Sequence, residues 1–311
     1  MTFSFVFPGQ GSQSVGMLAE LAGQAAEVGE TFAEASEVLG FDLWALVQSG
    51  PAETLGETVN TQPAMLAAGV ATWRAWQQAG GPVPSMMAGH SLGEYSALVC
   101  SGALAFGEAV SIVRRRAELM QGAVAAGEGG MAAILGLDDD VVIDVCDRAS
   151  AAGVAEAVNF NSPGQVVIAG SLPAIEKATE LAKEAGARRA MMLPVSVPAH
   201  SSLMRPAGDA LAETLASAGF SDPDVPVICA VDGTPYAGAE DIRERMTVQV
   251  YSPVRWVATV QHMIGQGVTS VVECGPGKVL AGLVKRIDRG TAASCIDSPE
   301  TLDNIRSGIG T

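Results

Sequence analysis

The sequence predicts a mixed α/β fold: a mostly parallel sheet covered by helices, with a smaller α/β unit inserted into it. Three observations carry this reading. Short apolar runs alternate with stretches of helical period along most of the chain. The middle breaks that rhythm with a β-α-β-β-α-β order. Finally, 48% hydrophobic against 17% charged residues over 311 positions supplies apolar surface for one large core or two. The same balance excludes a disordered chain.

Phe3 to Phe7 is an apolar run ended by Pro8-Gly9-Gln10-Gly11, which predicts a buried strand feeding a tight turn. Helical spacing follows from about Met17 to Leu39 and from Gln62 to Trp76, and the apolar segment Ser85 to Ala88 predicts a second strand. Glu94 to Cys100 reads as a helix, as does the segment carrying Arg114 to Arg116. Further strands are expected at Pro226 to Ala230, Ser270 to Cys274 and Ala292 to Ile296. Helical stretches, among them Ser201 to Ala218 and Pro253 to Gly265, separate these strands, which is the arrangement of a parallel sheet.

Between these parts, Met131 to Leu137 predicts a strand and Asp138 to Ala149 a helix with acids at its start. Ala155 to Phe160 and Gln165 to Ala169 predict strands joined by Asn161-Ser162-Pro163-Gly164. Ser171 is positioned to cap a helix that ends at Gly186, and Ala187 to Val195 returns as a strand. This order is that of a ferredoxin-like unit. The domains expected are therefore 127–197 for the small unit and 1–126 with 198–311 for the large one, with the cleft between them as the site.

The charge narrows the partners. With 18 Lys+Arg against 34 Asp+Glu the net charge is −16, which disfavours nucleic acid and anionic membranes as partners, since both need clustered basic residues. Five scattered cysteines contain no C-x-x-C pair, so neither a disulfide framework nor a zinc site is expected. The start, MTFSFVFPGQGSQ, lacks a basic leader, and no run of about 18 apolar residues occurs. A soluble, monomeric, cytoplasmic protein without a metal is the expectation.

Gly89-His90-Ser91-Leu92-Gly93 matches G-x-S-x-G between a predicted strand and a predicted helix, the context in which the glycines allow a sharp turn that exposes the serine Oγ. Ser91 is the candidate nucleophile. Its base is sought among three histidines. His90 adjoins the nucleophile on a tight turn and is expected to be packed or hydrogen-bonded; His262 lies within a helical stretch. His200, in Pro198-Ala199-His200-Ser201, occupies a loop at the domain junction and is the candidate base. No local pattern marks an acid to orient it: Asp232 and Glu273 lie near strand ends, and a backbone carbonyl would serve as well.

Arg114, Arg115 and Arg116 form a basic run, and periodicity separates them. Arg116 falls on the apolar stripe of Ile112, Val113, Leu119 and Met120. An arginine there calls for a carboxylate or phosphate, either a ligand's or an internal acid's. The Phe7 to Gln13 loop lacks the Lys-Ser/Thr of a phosphate-binding loop and misses G-x-G-x-x-G. It is placed instead to aim a backbone N–H at a developing oxyanion, with the N–H of Leu92 as the second donor.

FPGQGSQ, GHSLGEYSALV, RRRAELMQ, NFNSPGQVVIAG, LPVSVPAHSSLM, QVYSPVRW and VVECGPGKVL, in this order, closely resemble the malonyl-CoA:acyl carrier protein transacylases of bacterial fatty acid synthesis. The resemblance runs from Phe5 to about Ile287. It implies an α/β-hydrolase-like large domain carrying a ferredoxin-like small one. It also implies Ser91 as nucleophile, His200 as base, Arg116 as the ligand of the malonyl carboxylate, the backbone of Gln10 and Leu92 as oxyanion donors, and Gln249 as the residue whose main-chain carbonyl orients the histidine. A ping-pong reaction follows, with malonyl-CoA and acyl carrier protein as partners and no cofactor. Two positions depart from the pattern: Ala117, where many relatives have glycine, and Ala199, next to the acyl pocket of related domains. A serine thioesterase or hydrolase, and an acyltransferase loading a polyketide carrier, are the alternatives.

Overall fold

The structure, a computed structural model, describes residues 2–195 and 197–309. Among the described residues nine strands form two sheets. β1 (Phe3–Phe7), β2 (Met86–Gly89), β7 (Val227–Ile228), β8 (Ser270–Cys274) and β9 (Ala292–Ile296) make an all-parallel sheet in the order β7-β2-β1-β8-β9. β3 (Gly129–Leu135), β4 (Ala155–Ser162), β5 (Gln165–Ser171) and β6 (Arg189–Met192) make an antiparallel sheet in the order β4-β5-β3-β6. Helices Asp139–Ala149 and Leu172–Glu184 complete the second unit, whose topology is ferredoxin-like as the β-α-β-β-α-β order predicts.

The central strand explains itself. All five residues of FSFVF are buried, because the parallel sheet is covered on both faces. Alternate residues enter opposite cores. Phe5, Phe7, Met87 and Val272 join the larger core with the helices Ala26–Leu39, Thr58–Gln78, Gly93–Cys100 and Phe106–Gly122. Val6, Ala88 and Val271 join a smaller one with Trp256–Gly265 and Val279–Ile287.

Several boundaries differ from the sequence expectation. The Met17–Leu39 stretch breaks into helices Ala19–Ala22 and Ala26–Leu39, because the chain turns at Gly23. The helix expected from Ser201 starts at Arg205, after a 3₁₀ turn at Ser202–Met204. β7 shrinks to two residues and β6 to four. Ser171 stands at the cap position but gives its hydroxyl to the Val154 carbonyl (3.3 Å) rather than accepting from the helix. Among the described residues, helices Leu43–Ser49, Ala52–Gly56, Ala239–Gln249 and Pro299–Ile309 fall outside the stretches singled out above, while Val279–Ile287 is a helix that the alternation of strands and helices implies without bounds.

The two sheets meet through Val254. Its N–H donates to the Val158 carbonyl (2.8 Å), and its carbonyl accepts from Phe160 N–H (3.0 Å). The seam leaves a cleft of about 460 Å³ outside the carboxyl ends of β1 and β2, the position where open parallel sheets bind ligands. No described helix is long and apolar enough to cross a membrane. All five cysteines are buried free thiols.

Candidate active site

β1 and β2 pair in parallel with Phe7 opposite Gly89, so the loops that follow them lie side by side. Two glycines permit the turn after β2. A Cβ on Gly89 would stand 1.9 Å from the Gly93 carbonyl carbon, and one on Gly93 would stand 2.0 Å from the Phe7 carbonyl oxygen. Neither close approach is possible for another residue. Between them Ser91 is held at φ 52°, in the left-handed region. A non-glycine residue there carries roughly 1–3 kcal/mol of strain, which the surrounding packing sustains.

His200 also has positive φ (67°). Its own segment is tied to the chain after helix Ala239–Gln249. The His200 N–H donates to the Val250 carbonyl (2.9 Å), and Nδ1 lies 2.9 Å from the Gln249 carbonyl and 3.1 Å from that of Ser252. Two carbonyls can only accept, so Nδ1 carries the proton and Nε2 is the open lone pair. Nε2 sits 2.7 Å from Ser91 Oγ. Burial, and then the charge of Arg116, pulls the imidazole down to about 3, which keeps the ring neutral at pH 7.

Arg116 is 1% exposed. Nη1 donates to Gln62 Oε1 (2.8 Å), and Nη2 donates to Gln249 Oε1 (3.0 Å) and to Ser91 Oγ (3.2 Å). These use three of its five N–H donors, and Nε, equally buried, has no partner. No carboxylate touches it among the described residues, so the internal salt bridge that the stripe allowed is not formed. Arg114, by contrast, pairs with Glu118 (2.8 Å) on the helix surface, as Arg115 does more loosely (3.8 Å).

Gln10 and Leu92 both line the cleft. Neither main-chain N–H donates to a protein acceptor among the described residues. The loops are in contact: a Cβ on Gly9 would lie 2.5 Å from the His90 carbonyl oxygen and 3.8 Å from the Leu92 nitrogen. Two unpaired amides from adjacent loops, beside a serine Oγ, are the form that an oxyanion site takes.

The remaining candidates are elsewhere. His90 Nε2 bonds Asn161 Oδ1 (2.8 Å), and its ring packs against Trp256. His262 lies in the last turn of its helix and faces a different groove. Asp232 binds Arg245 and caps Thr234. Glu273 accepts from Ala281 N–H (2.9 Å) at the start of the Val279–Ile287 helix. Neither acid contacts His200.

Three site neighbours escaped the sequence. Gln62 stands in the sequence only as the start of an apolar helical stretch, with nothing to announce its bond to Arg116. Glu94 lies in the first turn of helix Gly93–Cys100, where an acid is unremarked because the helix dipole favours it; it is fully buried. The side chain of Gln249, as distinct from its carbonyl, bridges Arg116, Ser91 and Glu94.

A neutral histidine whose Nε2 faces a strained serine, beside two unpaired amides and a buried arginine, has the make-up of a serine-dependent acyl-transfer site. The acyl transferase domain family matches residues 4–295. The "Malonyl CoA-acyl carrier protein transacylase" of Salmonella typhimurium is 55% identical over 300 residues, covering 96% of this chain and 97% of the relative; that of Bacillus subtilis is 46% identical over 301 residues, covering 96% and 95%. Among solved structures, an acyl carrier protein S-malonyltransferase from Vibrio cholerae superposes with a TM-score of 0.96 at 55% identity, covering 98% of this chain and all of that one. A malonyl-transacylase in complex with its type II PKS acyl-carrier protein superposes with a TM-score of 0.98 at 51% identity, covering 99% and 100%. The chain belongs to the acyl transferase family, within the malonyl CoA-acyl carrier protein transacylases that these relatives represent.

Proposed function

We propose that this chain moves a malonyl group from malonyl-CoA to the phosphopantetheine thiol of an acyl carrier protein through an ester on Ser91. The observation that carries the reading is Arg116. It is a buried guanidinium with no carboxylate partner among the described residues, and its Nη2 is 3.2 Å from Ser91 Oγ, so an acyl group held on that oxygen can bring its own carboxylate to the fork.

His200 Nε2 takes the Ser91 proton as Oγ attacks the thioester carbonyl. The oxyanion rests on the Gln10 and Leu92 amides. The C–S bond then breaks, and the proton on His200 passes to the departing CoA sulfur. The low basicity of the buried ring, and its proximity to Arg116, favour that release. The carrier thiol enters by the same path in reverse, giving its proton to His200, and the serine hydroxyl is restored. Gln249 and Ser252 hold the ring tautomer through their carbonyls throughout. Every step moves protons and acyl groups without net oxidation, so no redox cofactor is called for.

We also assign 127–197 as the small domain and 1–126 with 198–311 as the large one. The antiparallel sheet and its own core, with Ile134, Val142, Ile168 and Ile175 at its centre, support that division. A cytoplasmic monomer acting on a carrier protein completes the reading. The test is the ratio of thiolysis to hydrolysis. With malonyl-CoA and holo-carrier, malonyl-carrier should accumulate far faster than free malonate; predominant hydrolysis would assign the site to a thioesterase instead.

A further inference from the structure

Glu94 has no role in the steps above, yet it is a fully buried carboxylate on the helix that the nucleophile opens. Oε1 accepts from the Ala230 N–H (3.0 Å) and the Tyr236 hydroxyl (2.6 Å). Oε2 accepts from Gln249 Nε2 (2.6 Å). Among the described residues no lysine or arginine pairs with it, and burial pushes its carboxyl up. An unpaired buried acid is costly, so its retention calls for a reason.

The Gln249 amide supplies one. Its Oε1 faces Arg116 Nη2, which can only donate, while its Nε2 reaches both the Ser91 carbonyl (2.9 Å) and Glu94 Oε2. Reversing the amide would set N–H against N–H at Arg116 and oxygen against oxygen at Ser91 and Glu94. Glu94 therefore fixes which end of Gln249 faces the arginine.

We propose that Glu94, anchored by Tyr236 and Ala230, is a positioning residue that locks the Gln249 amide and so presents Arg116 and the Ser91 turn to a carboxylate-bearing acyl group. This rests on the malonyl-transfer reading and adds the device that aligns its specificity arginine. Glutamine cannot replace the glutamate. The Ala230 N–H and Gln249 Nε2 each require an acceptor on a different oxygen, and a glutamine offers only one oxygen. Tyr236→Phe leaves both acceptors in place and loosens only the anchor.

The experiment compares wild type, Glu94→Gln and Tyr236→Phe in transfer from malonyl-CoA and from acetyl-CoA, beside a crystal structure of Glu94→Gln. Glu94→Gln should lose tenfold or more in kcat/KM for malonyl-CoA, with the malonyl-to-acetyl preference narrowed at least fivefold; Tyr236→Phe should show the same change at a few-fold. In the crystal the Gln249 amide should be turned or displaced from Arg116. An equal loss for both acyl groups would mark a merely structural acid and overturn the proposal, as would an unmoved Gln249 amide. If Glu94→Gln does not fold, an unchanged preference in Tyr236→Phe overturns it. A wild type that transfers no malonyl would instead overturn the functional reading, and the Gln249 amide in the crystal would still decide the role of Glu94.

Discussion

Arg116 Nη2 and Ser91 Oγ are 3.2 Å apart, although 25 residues separate them in the chain. The proposed nucleophile and the guanidinium proposed to select its acyl group are thus held against each other. Because the guanidinium is buried and meets no anion among the described residues, on the proposed reading a substrate carboxylate gains a charge-assisted fork, and removing the arginine strands that carboxylate in a dry cleft.

Arg116→Ala should lower kcat/KM for malonyl-CoA by about 3 to 5 kcal/mol, a factor of roughly a hundred or more. Acetyl-CoA has no carboxylate to strand, so its transfer should fall little or rise. Steady-state rates with both thioesters read the difference. Equal losses would make Arg116 a structural residue.

The pH profile follows from His200. Its ring is held down to about 3 by burial and by Arg116, so the base stays unprotonated where an ordinary histidine, near 6.5, would begin to titrate. The kcat/KM for malonyl-CoA should therefore show no acid limb between pH 6 and 7. Stability moves the other way with acid. Between about 6.5 and about 3 the unfolded chain binds a proton that folded His200 refuses, so this term is complete above 6.5 and is lost progressively as pH falls through the window. An activity limb centred near 6.5 would contradict the buried neutral base.

The turn at Ser91 makes a steric prediction. Gly93→Ala would drive a methyl to 2.0 Å from the Phe7 carbonyl and should cost on the order of 3 kcal/mol or more, or prevent folding. A methyl at Gly282, in helix Val279–Ile287, would meet nothing within 4 Å. Gly282→Ala should stabilise by about 0.5 to 1 kcal/mol. Chemical denaturation of the two variants checks both signs.

Much of this site was legible because its signals are local. The G-x-S-x-G spacing, the strand before it and the helix after it lie within a few residues, and elimination among three histidines led to His200. The period of Ile112, Val113, Leu119 and Met120 placed Arg116 inward, but whether an acid answered it was a tertiary question. Glu94 and Gln249 stand 155 positions apart, and no spacing announces their contact. Asp232 and Glu273 drew attention as acids near strand ends, yet each is spent on its own neighbourhood, on Arg245 and on a helix start. β7 and β6 proved shorter than their apolar runs because apolarity marks burial, whereas strand length is set by pairing.

An acidic carrier needs a basic landing on a chain of net charge −16. Arg189 on β6 pairs with Leu135, which pairs in turn with Gln165, and Arg286 reaches Gln165 from helix Val279–Ile287. Arg188, Arg189, Lys285 and Arg286 are exposed around this row, about 13 Å along β3 from Met131 in the cleft. Lys278, by contrast, is paired to Asp297 (3.3 Å). Reversing the charge of Arg189 and Lys285 should raise KM for the carrier severalfold and leave malonyl-CoA unchanged. Equal effects on both substrates would count against docking there.

The central claim is a malonyl ester on Ser91. Intact-protein mass spectrometry after exposure to malonyl-CoA alone, without carrier, should show one malonyl group per chain, mapped to Ser91 and released by carrier thiol, with no adduct on Ser91→Ala. Failure of the wild type to acquire the adduct, or its persistence in Ser91→Ala, would contradict the account.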